Sequence, residues 1–302
     1  MSAAGPATPF GDRLAAAVDA RQSQVVLGLD PDPRALWPQA AAGLGSGSVA
    51  IAVAQHCRAA IAAVAPAVVA VKLQAARFEA LGRPGLSVMA QAAEEARAHG
   101  LLVIADAKRG DIDVSATAYA HAFLGAAPGP DGPLPGMGAD ALTVSPYMGA
   151  DTLAPVLDVA RAHGAGIFAL VRTSNPGAAD VEDLELARGG TVWEAVAAMV
   201  ARLGRDGPAS GLSDAGAVVG ATRPEHLARA RELLPTAPFL LPGVGAQGGR
   251  VEELAPAFAP GRAAGLVTAS RSIVGAGEGE GDRAAAARAE AERLRAAAWA
   301  LR

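Results

Sequence analysis

The stretch Leu101-Leu-Val-Ile-Ala-Asp106-Ala-Lys108-Arg-Gly-Asp111 joins a continuous apolar run to a densely charged segment. A continuous apolar run, rather than an alternating one, is typical of a parallel strand that is buried on both faces. In an α/β barrel, the carboxyl ends of such strands carry the site of chemistry. We therefore interpret Leu101–Ala105 as a buried strand that ends at a candidate functional rim.

Similar apolar runs recur along the chain, separated by Ala-rich segments with helical patterning, such as Ser87–His99, Val192–Leu203 and Pro224–Leu234. The other predicted strands are Gln24–Leu29, Ala67–Leu73, Ala139–Val144, Gly166–Val171, Gly216–Gly220, Phe239–Leu241 and Gly265–Thr268. Eight strand–helix units predict a single (β/α)8 TIM barrel over residues 1–302, with a linker and a final helix at 275–302. A doubly wound open sheet is the alternative.

The composition restricts the class of protein. With 302 residues, 51% of them hydrophobic, the chain can bury a large core, and its interspersed charges and net charge of -4 argue against a nucleic-acid binder. A single cysteine, Cys57, excludes an intramolecular disulfide and favours a reducing cytoplasm. We see no secretory signal, and the apolar stretch Ile61–Val71 is too short to span a membrane. These features predict a soluble cytoplasmic protein.

The basic residues are distributed unevenly between the two types. Only Lys72 and Lys108 are lysines, and the other 24 of the 26 basic residues are arginines. Both lysines fall at predicted strand ends, beside Asp106 and in the neighbourhood of Asp30 and Asp111. Because arginine would serve in a structural ion pair, we favour a function that needs a compact ammonium able to donate a proton.

The third-strand motif suggests what that ammonium does. In an extended segment, Asp106 and Lys108 would point to the same side, because side chains alternate along a strand. An ammonium held among carboxylates stays protonated. We therefore expect Lys108 to be a proton donor and not the neutral amine that a Schiff base requires.

Two later loops are suited to an anion. Barrels often bind phosphate after the seventh and eighth strands, where this chain has Pro242–Gly249 and Ser270-Arg271-Ser272. Gln247 and Arg271 would add an amide and a guanidinium to the backbone groups of Gly248 and Ser270.

Other patterns leave alternatives open. Gly243–Gly248 also matches the dinucleotide fingerprint, but the acidic residue expected about 20 positions later is absent, so we reject a nicotinamide site. The glycines could instead serve only to form a turn. The loop Thr173–Gly177 could hydrogen-bond a heterocycle or could be a capped turn. We find no spacing typical of a zinc site and predict no metal.

Taken together, these rim segments resemble the orotidine 5'-monophosphate decarboxylase family, in its longer bacterial type. The resemblance extends from about Phe10 to Ile273, and its most specific part is Asp106–Ile112. The other matching segments are Leu27–Pro31, Lys72–Gly82, Ser145–Gly149, Thr173–Gly177, Val219–Thr222, Pro242–Gly249 and Ser270–Ile273.

The resemblance implies conversion of orotidine 5'-monophosphate (OMP) to uridine 5'-monophosphate (UMP) and CO2 in pyrimidine biosynthesis, without a cofactor. It implies that Lys108 protonates C6 within a network of Lys72, Asp106, Lys108 and Asp111. In a homodimer, Asp111 would belong to the partner's site. Binding roles would fall to Asp30 and Lys72 for the ribose, Ser174 for the pyrimidine, and Gln247 and Arg271 for the phosphate.

The chain departs from the family pattern in two places. Asp113-Val114-Ser115 stands where the family usually has Gly-Ser-Thr, so that Ser115 replaces the threonine expected to make a contact across the dimer, and Leu73 replaces a proline. Two other functions remain open: a Mg2+-dependent sugar-phosphate decarboxylase or aldolase of related sequence, and a non-catalytic barrel that binds a phosphoribosyl ligand. The small-molecule substrate is the expected partner, with neither nucleic acid nor membrane.

Overall fold

The computed structural model describes residues 7–42, 49–245, 248–277 and 281–301. Eight parallel strands close into a barrel in which each strand pairs with the next one along the chain and the last pairs with the first. The strands are β1 (Val25–Leu29), β2 (Ala70–Gln74), β3 (Leu102–Arg109), β4 (Ala141–Val144), β5 (Gly166–Arg172), β6 (Ala215–Val219), β7 (Phe239–Leu241) and β8 (Gly265–Ala269).

This closed barrel confirms the predicted fold class and excludes the open sheet. All eight predicted strands are present, and their side chains are almost completely buried because the helices cover the outer face of the barrel. The largest disagreement concerns β3, which continues to Arg109 and not only to Ala105. The charged segment Asp106–Asp111 is therefore partly inside the strand and not wholly beyond it.

The helices surround the barrel, with short 3-10 turns in several connections. The helices are α1 (Phe10–Arg21), α2 (Pro38–Ala41), α3 (Val49–Val64), α4 (Ala75–Glu79), α5 (Arg83–Ala98), α6 (Asp113–Leu124), α7 (Ala150–Ala162), α8 (Val192–Leu203), α9 (Pro224–Leu233), α10 (Arg271–Val274) and α11 (Arg283–Trp299). The 3-10 turns are Pro176–Asp180, Val251–Glu253, Ala255–Phe258 and Arg262–Ala264, and a small hairpin pairs Ala126–Ala127 with Leu134–Pro135.

Helix α1 covers the amino-terminal end of the barrel. Phe10 packs edge-on against Phe168 of β5, with ring centroids 6.0 Å apart. Glycine is needed at position 166, because a Cβ there would lie 2.4 Å from the Phe10 ring. An aromatic plug therefore fills this end, and the opposite end is left for the site.

The C-terminal helix α11 packs on the barrel. Ala287, Ala291, Leu294 and Ala298 recur at helical spacing and are buried, and the helix contacts α3, α10 and β1. The predicted final helix is thus present; of the predicted linker before it, residues 278–280 lie outside the described residues. Across the described ranges, we find no helix long and apolar enough to cross a membrane.

Candidate active site

A chain of alternating charges crosses the carboxyl ends of β1, β2 and β3. The two carboxylate oxygens of Asp106 each accept a hydrogen bond from a lysine: Oδ2 from Lys72 Nζ and Oδ1 from Lys108 Nζ, both at 2.6 Å. On the far side, Lys72 Nζ lies 3.9 Å from Asp30 Oδ1. Four of the predicted site residues are thus brought together, and both lysines of the protein belong to this network.

The central carboxylate is buried and ionised. Burial raises the pKa of Asp106, but the ammonium groups of Lys72 and Lys108 outweigh that effect and hold the pKa below its usual value. The two lysines differ in exposure, since 8% of the Lys72 side chain is accessible and 45% of that of Lys108. Lys108 is therefore the more accessible of the two ammonium groups.

Lys108 does not have the extended backbone expected from the sequence. Its φ is +48°, in the left-handed region that residues with a side chain rarely adopt. The strand register also shifts between Ala105 and Arg109. The expectation that Lys108 approaches Asp106 through simple strand alternation is therefore wrong in its reason: a bulge turns the lysine back onto the carboxylate.

Two further side chains complete the surroundings of Asp106. Thr143 of β4 donates its hydroxyl hydrogen to Oδ1 at 2.9 Å. With its amide nitrogen turned toward Asp106, Gln74 of β2 donates to Oδ2 at 2.6 Å. The sequence analysis assigned no role to either residue. For Thr143 a signal existed, because a hydroxyl stands inside an otherwise apolar buried strand.

Two adjoining cavities open above this network, and Lys72, Asp106 and Lys108 line both of them. The larger, of about 580 Å³, has mainly apolar walls from β5, β6 and α8 and includes Ser174. The smaller, of about 320 Å³, includes Asp30, Ser270 and Arg271. The site therefore suits an elongated ligand with a flat, largely apolar end and an anionic end.

Close approach of the strand ends shapes both cavities. A Cβ at Gly220 would lie 2.9 Å from Cβ of Ser174, and one at Gly28 would lie 2.8 Å from Cβ of Ser270. Ser270 donates a hydrogen bond to Asp30 Oδ2 at 2.6 Å. The absence of a side chain at these glycines therefore lets the predicted binding residues sit at the cavity walls.

The glycine loop after β7 forms a tight turn. Gly243, Gly245 and Gly248 all have positive φ, and the N–H of Gly248 donates to the carbonyl of Gly245 at 2.8 Å. The turn-forming role is thus real, while the phosphate role of Gly248 stays a prediction. The predicted amide donor Gln247 lies outside the described residues.

Asp111 and Ser115 stand apart from the network. Asp111 is half-buried, and its Oδ1 accepts a hydrogen bond from the N–H of Ile112 at 2.8 Å. Among the described residues, no ion pair joins Asp111 to either lysine. Ser115 is exposed in the first turn of α6. Within one chain, neither residue lines the two cavities.

Two further expectations concern Cys57 and metal ligands. Cys57 is buried, and this burial raises the pKa of its thiol to about 12, as suits an inert core cysteine. In the described part of the chain, no group of three or more His, Cys, Asp or Glu side chains could hold a metal ion.

Fold and site together define a (β/α)8-barrel protein with two cavities above a lysine–aspartate network. A family model described as "Orotidine 5'-phosphate decarboxylase / HUMPS family" matches residues 23–289, and the chain belongs to this family.

Individual relatives agree with this assignment. The chain is 42% identical to an orotidine 5'-phosphate decarboxylase of Rhodopirellula baltica over 88% of each chain. It is 41% identical to one of Deinococcus radiodurans over 84% of each chain. The solved structure of Leishmania donovani OMP decarboxylase is similar with a TM-score of 0.72 and 30% identity, over 97% of this chain and all of that one.

Proposed function

We propose that this protein is an orotidine 5'-monophosphate decarboxylase that converts OMP to UMP and CO2. One observation carries the proposal: Asp106 holds two lysine ammonium groups at 2.6 Å, and the more exposed of them, Lys108, lines a cavity of about 580 Å³. Family membership and the relatives named above support the same activity. The pathway is then pyrimidine biosynthesis, and we infer a cytoplasmic location.

The lining of the two cavities supports one orientation of the substrate. Arg271 and the glycine loop would hold the phosphate, because a guanidinium and backbone amides bind such an anion well. Asp30 has a buried oxygen, Oδ1, without a hydrogen-bond partner among the described residues, and it is available for a ribose hydroxyl. The pyrimidine would then lie in the larger cavity beside Ser174, with C6 next to Lys108.

The chemical step follows from this orientation. When the bond from C6 to the carboxylate breaks, CO2 leaves and the electron pair stays on C6. The Lys108 ammonium stabilises that developing charge because it is already in place and needs no reorganisation. Its proton then passes to C6, and the lysine recovers a proton from solvent. Binding energy from the distant phosphate supports closure and orientation.

We further propose that the protein is a homodimer in which Asp111 enters the partner's site. Asp111 is half-buried and begins a rim that carries large, exposed apolar side chains: Ile112, Val114, Tyr147 and Met148. Tyr147 is 86% exposed and Val114 76%, which is unusual for residues of this size in the surface of a monomer. An interface over this rim would bury them and place Ser115 beside the neighbouring chain.

The first experiment follows the ultraviolet absorbance of OMP with purified protein, with and without EDTA. We expect conversion to UMP that EDTA does not affect, because the proposed step uses only a lysine. Loss of activity in EDTA, restored by Mg2+, would favour a metal-dependent sugar-phosphate enzyme of related sequence. UMP binding by folded protein without turnover would favour a non-catalytic binding barrel.

A mixing experiment tests the shared site. Asp111→Asn and Lys108→Ala should each be inactive, whereas their equimolar mixture should recover about a quarter of the wild-type activity, because half of the random dimers then contain one intact site. Each variant mixed with itself is the control. A mixture that stays inactive despite subunit exchange would show that Asp111 does not act across an interface.

A further inference from the structure

We propose that Thr143 is a positioning residue, whose hydroxyl holds Lys108 in its left-handed conformation and fixes Asp106 beside it. This role rests on the proposed function, since it concerns how the proton donor is aimed. Nothing in the sequence motif itself requires a threonine on the neighbouring strand, and the inference comes from the contacts between β3 and β4.

The register of β3 and β4 places Thr143 opposite the bulge. Ala105 pairs with Leu142 and Arg109 pairs with Val144. Asp106, Ala107 and Lys108 therefore lie opposite one residue of β4, which is Thr143. A bulge of this kind leaves backbone groups without their ladder partners, so a side chain on the facing strand must satisfy them.

Thr143 makes hydrogen bonds with both Lys108 and Asp106. Its Oγ1 accepts the backbone N–H of Lys108 at 2.9 Å and donates to Asp106 Oδ1 at 2.9 Å. The same carboxylate oxygen receives the ammonium of Lys108 at 2.6 Å. One hydroxyl thus links the backbone of the proton donor to the carboxylate that holds its side chain.

The left-handed backbone conformation of Lys108 costs free energy. A residue with a side chain held at positive φ is strained by roughly 1–3 kcal/mol and persists only where its surroundings fix it. On one side of the bulge, Asp106 is fixed by Lys72; on the other, Arg109 forms an ion pair with Glu79 of α4. Between these anchors, Thr143 supplies the contact to Lys108 itself.

Thr143 acts through its neighbours and not on the ligand. It is completely buried, and it is absent from the described residues that line the two cavities. Valine would fill nearly the same volume in this strand, whose other members are Ala141, Leu142 and Val144. The need for threonine is therefore a need for its hydroxyl.

The test compares two pairs of variants that differ only in the hydroxyl: wild type with Thr143→Val, and Thr143→Ser with Thr143→Ala. Without the hydroxyl, we expect kcat for OMP to fall roughly 10- to 100-fold because the donor is misplaced, with KM and UMP affinity within about threefold. Thr143→Ser should stay within about threefold of wild type in kcat.

Thr152→Val is the matched control, because Thr152 is also buried and its hydroxyl donates to the carbonyl of Gly149, away from Lys108. We expect it to lose stability without the fall in kcat. If Thr143→Val does not fold, the Ser and Ala variants carry the comparison.

The outcomes separate this role from the proposed function. Two outcomes with an active wild type would overturn the positioning role alone. One is an unchanged kcat in Thr143→Val, and the other is an equal loss of kcat in Thr143→Ser and Thr143→Ala. A parallel loss of kcat and UMP affinity would indicate a general structural role and would also overturn it. Folded wild type that does not convert OMP would overturn the proposed function and this role with it.

Discussion

The buried aspartates at the two ends of the barrel are paired with different cations. At the amino-terminal end, Arg13 pairs with Asp140 and Arg161 pairs with Asp214, in the second case at 2.6 Å. At the carboxyl end, Asp106 is held between two lysines. Arginine also forms a more exposed pair at the carboxyl end, between Arg109 and Glu79, so among the described residues lysine is confined to the Asp106 network.

The structural pairs are closed networks. The carboxylate of Asp140 also accepts the backbone N–H of Val103 at 2.7 Å, and that of Asp214 accepts the N–H of Arg205 at 2.8 Å. Arg161 in addition donates to the carbonyl of Leu203. Several directed hydrogen bonds from one planar guanidinium hold neighbouring segments together, which a single ammonium could not do equally well.

The network around Asp106, for which we propose a catalytic role, has incomplete hydrogen bonding by comparison. Lys108 is half exposed to the cavities, Asp30 keeps a buried oxygen without a partner among the described residues, and the backbone of Lys108 is strained. Such features lower stability at a site that must receive a substrate and release a proton. In this protein, the ion pairs whose hydrogen bonds are complete join neighbouring segments. The ion pairs around Asp106 leave hydrogen-bonding groups available for a ligand.

Exchanging the cation at the carboxyl end should produce the largest effect. We expect Lys108→Arg, like Lys108→Ala, to lower kcat by at least about 10³-fold, because guanidinium keeps the charge but does not release its proton near neutral pH. Assays of OMP turnover and UMP binding measure this effect, and binding should survive. Near-normal turnover by either variant would contradict the assignment of Lys108 as proton donor.

A buried histidine outside the Asp106 network should give a smaller effect that depends on pH. His56 of α3 accepts the N–H of Trp37 at 3.1 Å. Burial, assisted by the nearby charge of Arg283, lowers the pKa of His56 from 6.5 to about 4. Below pH 6.5 the imidazole of His56 is protonated in the unfolded chain but stays neutral in the folded protein. The free energy of unfolding therefore falls between pH 6.5 and 4 by up to roughly 3 kcal/mol.

Urea unfolding at pH 7 and pH 4.5 checks this effect. His56→Gln should show a smaller loss of unfolding free energy on acidification than wild type, and His99→Gln, at the exposed end of α5, should behave like wild type. Equal losses in all three proteins would show that His56 does not control the acid sensitivity.

The reciprocal exchange at the amino-terminal end should have the smallest effect and should spare activity. Arg161→Lys would lose most of the three hydrogen bonds that the guanidinium makes to Asp214 and Leu203. We expect the unfolding free energy to fall by about 1–2 kcal/mol, with kcat unchanged. A large loss of activity at full stability would show that the two ends are not as separate as their geometry indicates.

Much of the fold could be predicted from local sequence. The eight apolar runs identify the eight strands, since a parallel strand covered on both faces needs apolar residues throughout. The helix Val192–Leu203 was predicted with its observed bounds, and its start is fixed by a capping box of Thr191 and Glu194. Such signals act within a few residues and can therefore be recognised without knowledge of the tertiary structure.

Strand period and residue chemistry are local properties, so the barrel, its functional rim and the prediction of Lys72, Asp106 and Lys108 as site residues follow from the sequence. How these three side chains contact one another depends on the tertiary structure. The bulge at Lys108 and the hydroxyl of Thr143 depend on the register between β3 and β4, and the link from Gln74 to Asp106 depends on that between β2 and β3. Register is fixed when strands pair within a closed barrel, and no single segment contains that information.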